Sequence, residues 1–201
     1  MKKGEKTKLE LLKIAYKMFL SKGYENTSID EIIEEAKIAK GTYYYHFKSK
    51  EQMLEEVIQM MIDDYEMRAN EILNSDLDLP EKMIGIITSF RPNNDEFQIV
   101  DTLNRQGNLI MHNKINRQVI ERVVPMLSKI VEDGVQLGLL KCENIPERIR
   151  IIMIISSQLF DDMEYSNTDV DVFIDIVEKT LGAQGGFMGF LKKLIQKKED
   201  N

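Results

Sequence analysis

The chain has 201 residues and a net charge of −7, and 43% hydrophobic with 30% charged residues is typical of a globular protein with a sizeable core. The longest apolar run, Ile151 to Ile155, is far shorter than the ~18 residues of a membrane-spanning helix, and the lysine-rich N-terminus leads into no apolar segment. One cysteine and two histidines exclude an intrachain disulfide and argue against a zinc finger, so we expect a cytoplasmic protein without membrane contact, metal or cofactor.

Helical periodicity dominates the first fifty residues. Apolar residues at helical spacing predict a first helix from about Lys6 to Lys22, ended by Gly23. Thr27 with Asp30 and Ser28 with Glu31 both have the spacing of a capping box, which predicts the start of a second helix of about nine residues. A short break at residues 37–39 then leads to a third helix, Lys40–Phe47, in which we expect Phe47 to be buried.

The rest of the chain also has helical spacing. Runs of apolar residues three and four positions apart alternate with polar loops, prolines and glycines that mark helix ends. Residues 151–155 are apolar on all sides, which predicts a helix covered all round. The predicted helices are Ser49–Asn74, Pro80–Phe90, Glu96–His112, Asn116–Leu137, Pro146–Phe160, Thr168–Leu181 and a basic tail helix, Phe187–Lys198.

Two short helices joined by a tight turn, after a longer helix, form a helix-turn-helix, whose last helix enters the DNA major groove. Residues 1–50 hold 11 Lys or Arg against 7 Asp or Glu, a balance of +4, whereas residues 51–201 hold 16 against 27, a balance of −11. A basic head on an acidic body suits contact with a polyanion through the head alone, although chance clustering would give the same count. We expect Lys40, Thr42, Tyr43 and Tyr45 to read bases, Thr27, Tyr44, His46, Lys48 and Lys50 to hold phosphates, and Gly41 to allow close approach.

A longer motif surrounds these residues. The stretch Thr27-Ser28-Ile29-Asp30-Glu31-Ile32, followed by Ala36 and by Lys40-Gly41-Thr42-Tyr43-Tyr44-Tyr45-His46-Phe47-Lys48-Ser49-Lys50, resembles the TetR family of bacterial transcriptional regulators. The resemblance covers about residues 7–55. Four positions depart from the family pattern. Ile33 stands for the usual Ala and Ile38 for Val, Lys37 stands where the turn often has Gly, and Ala39 stands where a hydroxyl residue would cap the helix.

The resemblance implies an all-α fold with an N-terminal three-helix DNA-binding head, residues 1–50, joined by a long helix to a helical effector-binding and dimerisation body, residues 51–201. It also implies a ligand-responsive repressor that binds a palindromic operator in double-stranded DNA as a homodimer. A small hydrophobic or amphipathic effector would release it.

Two sets of body residues follow as expectations. For the effector, apolar and polar side chains in about residues 80–140 are candidate cavity walls, although each could equally fill a solid core. For the dimer, the last two long helices carry more apolar surface than one core needs. The candidate walls are Phe90, Phe97, Leu103, Asn104, Met111, Met126 and Ile130, and the candidate interface residues are Ile152, Ile155, Leu159, Phe173 and Val177.

Two other functions remain open from the sequence. An architectural DNA binder without an effector would bind many sequences alike, but a −11 body gives such a protein no advantage. A helical enzyme is the less favoured alternative, because no catalytic or nucleotide-binding motif such as G-x-S-x-G or G-x-x-x-x-G-K-[ST] is present. We therefore expect no catalytic residue.

Overall fold

The computed structural model describes residues 3–97, 99–100, 109–160 and 164–195. All regular elements in these ranges are helices, which confirms the all-α class, and none of the helices described there is long and apolar enough to cross a membrane. They are α1 (Lys3–Lys22), α2 (Ile29–Glu35), α3 (Lys40–His46), α4 (Lys50–Leu73), α5 (Leu79–Ser89), α6 (Leu109–Gln136), α7 (Ile145–Phe160), α8 (Asn167–Leu181) and, after a 3-10 turn (Gly189–Leu191), α9 (Lys192–Ile195).

The first of two compact units comprises residues 1–64 and 92–115. In its head, α1 packs against α2 and α2 packs against α3, the arrangement of a helix-turn-helix. Phe19, Ile32 and Phe47 are fully buried among these helices, so the prediction that Phe47 belongs to the core is confirmed. The Tyr16 hydroxyl donates to the buried Glu96 carboxylate at 2.9 Å and so joins α1 to the segment that follows residue 92.

Capping boxes fix where several helices begin. Ser28 caps α2 as predicted, with its hydroxyl accepting from the Glu31 amide while the Glu31 carboxylate accepts from the Ser28 amide. Asp78 caps α5 in the same way. The helix predicted to begin at Thr168 begins at Asn167, because Ser166 caps α8 and makes the reciprocal bonds with Asp169.

The turn after α2 is a Schellman motif with an unusual residue. The Ile38 amide donates to the Ile33 carbonyl and the Lys37 amide to the Glu34 carbonyl, and Lys37 has a φ of 52°. A left-handed backbone costs an L-residue roughly 1–2 kcal/mol, which is why Gly is usual at this position. The departure of Lys37 from the family pattern therefore leaves the turn intact at an energetic cost.

Replacing Lys37 with Gly should stabilise the protein by roughly 0.5–1 kcal/mol, since the relieved strain exceeds the extra chain entropy that Gly loses. Urea unfolding would measure the change. Lys48→Gly is the matched control: it removes the same charge from a bend whose φ is not positive, and it should destabilise. A Lys37→Gly protein no more stable than the wild type would contradict the strain.

The second compact unit comprises residues 65–91 and 116–201. Within it α7 packs on α8, α8 packs on α9, and the 3-10 turn contacts α5. Phe173 and Val177 of α8 are buried there with Leu127 of α6. Within the single chain α7 is not covered all round, because Ile151, Ile154 and Ile155 are 41–56% exposed.

Two predicted helices differ from the structure. Residues 109–112, assigned to a helix from Glu96, are the first residues of α6, and residues 101–108 lie outside the described residues. The predicted tail helix Phe187–Lys198 is only the short turn and α9, with residues 196–201 outside the described range. The chain between Gly182 and Gly189 has too many glycines to favour a continuous helix.

Candidate DNA interface and effector cavity

The outer face of α3 presents aromatic and small residues to solvent. Tyr45 is 82% exposed and Tyr44 is 47% exposed, which is unusual for side chains of this size. Gly41 is also exposed, and a Cβ placed on it would meet no atom within 4 Å. Packing within the protein therefore does not require Gly41, whereas close approach to a DNA backbone would favour it.

Charged residues flank this face. Lys40, at the start of α3, forms an exposed ion pair with Asp30 of α2 at 3.0 Å, and this carboxylate raises the pKa of Lys40. On α2, hydrogen bonds from Lys22 and from Ser28 lower the pKa of the Glu31 carboxyl to about 2. Because the Lys40–Asp30 pair is exposed and weak, an acceptor atom on DNA can replace Asp30 as the partner of Lys40 at little cost.

His46 lies where α3 meets the first turns of α1. Its ring makes an edge contact with Tyr45 at 4.9 Å between centroids, and a Cβ built on Gly4 would lie 3.9 Å from His46 Cε1. The exposed Lys3 and Lys6 are on the same two turns of α1 as Gly4. The first turn of α1 thus lies beside α3.

The prediction that Tyr43 reads bases is wrong. Its side chain is fully buried, packs against Phe47, and its hydroxyl lies 3.5 Å from the Ser49 carbonyl and 3.8 Å from Met53 Sδ. Burial raises the pKa of Tyr43 to about 12, so the phenol stays protonated and donates. Tyr43 therefore fixes α3 against α4 and cannot reach a groove.

Thr27 and Lys50 make hydrogen bonds to backbone carbonyls within the protein, which corrects their assignment to phosphates. Thr27 is buried and its hydroxyl donates to the Gly23 carbonyl at 2.9 Å. Lys50 Nζ donates to the carbonyls of Tyr24 and Thr27 at 3.0 and 3.1 Å and lies 4.2 Å from the centre of the Tyr24 ring. Together they tie the start of α4 to the loop before α2. Lys40, Gly41, Thr42, Tyr44, Tyr45 and His46 remain at least partly exposed, as does Lys48.

The second unit encloses an apolar cavity of about 90 Å³. Helices α5 to α8 and the segment after Gly182 surround it, and three methionines, Met83, Met153 and Met188, contribute to its wall. Arg91 and Ser156 are the polar residues in the described lining, and Arg91 lies at the exposed rim. The other lining residues are Ile87, Leu127, Ile149, Ile152, Phe173, Val177, Leu181, Leu191, Leu194 and Ile195.

None of the predicted cavity walls that fall within the described residues lines this cavity. Phe90, Met126 and Ile130 are buried beside other core residues, with Phe90 in an edge contact with Tyr65, while Phe97 is 61% exposed and therefore no wall at all. Met111 is half-buried in the first unit, and Leu103 and Asn104 lie outside the described residues. Sequence reasoning missed the contribution of α7, α8 and the C-terminal segment. The four glycines after Leu181 were the available signal that the chain turns back there.

Solvent-exposed aliphatic residues form a stripe on α7 and α8. We call Ile151, Ile154 and Ile155 with Val172 and Ile176 the aliphatic face; each is 41–56% exposed. Of the predicted interface residues, Ile155 belongs to this face and Leu159 is half-buried. Ile152, Phe173 and Val177 instead line the cavity, so their assignment to the interface is wrong. Ile152 directly follows Ile151, and one residue is a rotation of about 100° around the helix, so the two side chains face different sides of α7.

The family profile described as "Bacterial regulatory proteins, tetR family" matches residues 11–57, the part of the chain that contains α2 and α3 together with Thr27 and Lys50. The chain is 40% identical over 77 residues to the HTH-type transcriptional repressor KstR2 of Mycolicibacterium smegmatis, a match that covers 38% of each chain. The aligned part thus spans about two fifths of that relative's length. This chain is also 26% identical to the fatty acid metabolism regulator protein of Bacillus subtilis, and that match covers 70% of this chain and 74% of the relative.

Solved structures share the fold over nearly the whole length. A transcriptional regulator from Cytophaga hutchinsonii has a TM-score of 0.62 at 20% identity, with 94% of this chain and 99% of that one covered. RolR in complex with resorcinol has a TM-score of 0.60 at 18% identity and covers 99% of this chain and 97% of its own. The profile thus identifies residues 11–57, with their helix-turn-helix and capped α2, as similar to the DNA-binding segment of the TetR family of bacterial regulatory proteins, and the solved structures show that the rest of the chain shares their fold.

Proposed function

We propose that the chain is a cytoplasmic transcriptional repressor that binds a palindromic DNA operator as a homodimer and is released by a small apolar or amphipathic effector. The observation that carries this proposal is the exposed face of α3. Tyr44 and Tyr45 lie there in solvent rather than in the core, and Gly41 is there although packing within the protein does not require a glycine. The relatives named as transcriptional repressors support the same direction of control. We assign DNA contact to residues 1–50 and the other two roles to residues 51–201.

The exposed residues divide between reading and holding DNA. Lys40, Thr42 and Tyr45 are on the outward side of α3 and would contact base edges in the major groove. The hydroxyl of Tyr44, the ring of His46 and the ammonium of Lys48 would hold phosphates on either side. Thr27, Tyr43 and Lys50 would act indirectly, by keeping α3 in place against α4.

The aliphatic face supports assembly as a pair. A monomer that leaves Ile151, Ile154 and Ile155 of α7 exposed, with Val172 and Ile176 exposed on the adjoining α8, keeps a set of aliphatic side chains in water. A second copy offers the same surface, so a two-fold pairing of α7 and α8 would bury both at once. Two heads would then read two half-sites, which is how a single short recognition helix gains specificity.

The cavity in the second unit is the candidate effector site. Its wall is almost wholly apolar, with polar groups only at Arg91 and Ser156 among the described residues. An effector can shift operator affinity only by binding one conformation of the protein better than the other. Coupling of about 1–3 kcal/mol, a 5- to 150-fold change in operator affinity, would be enough for regulation.

Selection from random duplexes tests the regulator against its alternatives. One enriched palindromic sequence is expected, whereas an architectural DNA binder would enrich none. Loss of operator binding on adding a cavity ligand, with no turnover of that ligand, separates a repressor from an enzyme. An absence of any enriched sequence would end the proposal.

Single substitutions in the head should then distinguish the residues that bind phosphates from the residues that read bases. Lys48→Ala should weaken binding to all duplexes alike and lower the salt dependence by about one counterion, because it removes one phosphate contact. Thr42→Ala should instead change the preferred base at one position of each half-site, at a cost of about 1–3 kcal/mol for the original base. Operator titrations over a range of salt concentrations measure both effects.

Lys129→Ala is the matched control for Lys48→Ala, because it removes an exposed lysine from the body and should change neither the affinity nor its salt dependence. An unchanged salt slope in Lys48→Ala would remove that residue from the phosphate contacts.

A further inference from the structure

The segment after Gly182 closes one side of the cavity. Met188, Leu191, Leu194 and Ile195 line the cavity from this segment. We call residues 183–195 the closing segment. Because its side chains supply part of the apolar wall, its position determines how much space the cavity offers.

Polar contacts at both ends hold the closing segment in place. The buried Glu178 carboxylate accepts from the amides of Gly186 and Met188 at 3.0 and 2.8 Å. At the far end, the Tyr165 hydroxyl donates to the Ile195 carbonyl at 2.8 Å, and Arg91 Nη2 donates to the Leu194 carbonyl at 2.6 Å.

Arg91 differs from the other contacts because it also lines the cavity rim. Its guanidinium donates a hydrogen bond to a neutral backbone carbonyl, and the residue remains exposed to solvent. An Arg–carboxylate pair has two parallel charge-assisted hydrogen bonds and is stronger than a bond to a neutral carbonyl. A carboxylate at the rim would therefore compete with Leu194 for Arg91.

We propose that the ligand of this cavity is a small apolar carboxylic acid, whose carboxylate takes Arg91 from the Leu194 carbonyl and thereby removes one of the contacts that hold the C-terminal end of the closing segment. The apolar part of the acid enters between Met83, Met153 and Met188. At about 90 Å³ the cavity is smaller than the ~150 Å³ that admits benzene, but it is partly open to solvent at the rim where Arg91 lies. The carboxylate of an acid can therefore stay at this rim while its apolar part packs against Met188 of the closing segment. The inference rests on the proposed function only in taking this cavity as the effector site.

Two matched pairs of ligands test the carboxylate on the full chain in the absence of DNA. Octanoate is compared with octan-1-ol, and benzoate with benzyl alcohol, by calorimetric titration. Each acid should bind at least about tenfold more tightly than its alcohol, the difference expected for a hydrogen bond to a charged partner. Arg91→Gln should abolish this preference, and Arg91→Lys should retain part of it because the charge remains.

Arg148→Gln is the control, because Arg148 also donates to backbone carbonyls, those of Glu143 and Thr180, but does not line the cavity. It should keep the preference for the acids. A second readout is tryptic cleavage after Lys192 or Lys193, which octanoate should accelerate in the wild type and octan-1-ol should not. The melting temperature of each variant shows that it is folded at the temperature of titration.

Equal affinity for acids and alcohols, absence of binding by either acid, or an Arg91→Gln protein that keeps the preference would overturn the inference. These outcomes are separate from those of the proposed function. A chain that binds the acids but selects no operator would contradict the repressor alone, and an operator released only by uncharged ligands would contradict the acid alone.

Discussion

Replacing Ile154 with Glu should convert a dimer into a monomer at micromolar concentration and weaken operator binding by at least about 100-fold. Ile154 is 49% exposed in the centre of the aliphatic face, so an added carboxylate stays hydrated in the monomer. In a dimer the same carboxylate would be buried without a partner, which costs about 3–5 kcal/mol and corresponds to more than a hundredfold in affinity. Light scattering gives the mass in solution, and titration with the selected operator gives the affinity.

Leu137→Glu provides the control, because it places the same charge on an apolar residue that is exposed in the monomer, at 70% accessible, and lies outside the aliphatic face. This variant should remain dimeric and bind the operator normally. Val172→Glu, on α8, should repeat the effect of Ile154→Glu. A wild-type protein that is monomeric at micromolar concentration, or an Ile154→Glu protein that stays dimeric, would contradict assembly through this face.

Replacing Gly182 with Ala should cost about 2–5 kcal/mol of unfolding free energy, the sum of backbone strain and steric overlap. Gly182 ends α8 with a φ of 62°, and an added Cβ would lie 2.1 Å from the Lys141 carbonyl oxygen. That carbonyl cannot easily move aside, since the Lys141 amide donates to the Leu181 carbonyl at 3.0 Å. The cost is a large share of the ~5–15 kcal/mol that stabilises a typical domain. Urea unfolding measures it.

Two other glycines separate strain from overlap. Gly138 has a φ of 74° with nothing within 4 Å of an added Cβ, so Gly138→Ala should show the strain alone. Gly185 has open space and no positive φ, so Gly185→Ala should be neutral or slightly stabilising. If Gly182→Ala and Gly138→Ala lost the same stability, the loop at Lys141 would be free to yield and the overlap would be negligible.

The sequence predicted the head more accurately than the body because local signals define a helix-turn-helix. The cap at Ser28, the short helix from Lys40 and the long α4 all follow from residues adjacent to them. The role of each tyrosine in α3 does not follow from its neighbours in the sequence. Tyr43, Tyr44 and Tyr45 have the same chemistry, and a rotation of about 100° per residue determines which is buried. Only the packing of α3 on α4 resolves that choice, and it buries Tyr43.

The body was harder because its apolar residues outnumber the positions of one core stripe. Residues 151–155 of α7 give no periodicity, so their sequence cannot show that Ile152 faces the cavity while Ile151 and Ile154 face solvent. The cavity itself depends on contacts between residues about a hundred positions apart, such as Arg91 with Leu194. Periodicity within a single helix contains no information on such contacts.

Three methionines in the cavity wall have a consequence for the selectivity of a sensor. Met83, Met153 and Met188 have unbranched, flexible side chains that can repack around ligands of different outline. A wall that adapts in this way discriminates weakly among compounds of one chemical class. The transcriptional response would then follow the combined concentration of several related compounds, which suits genes for handling a mixture better than genes for a single metabolite.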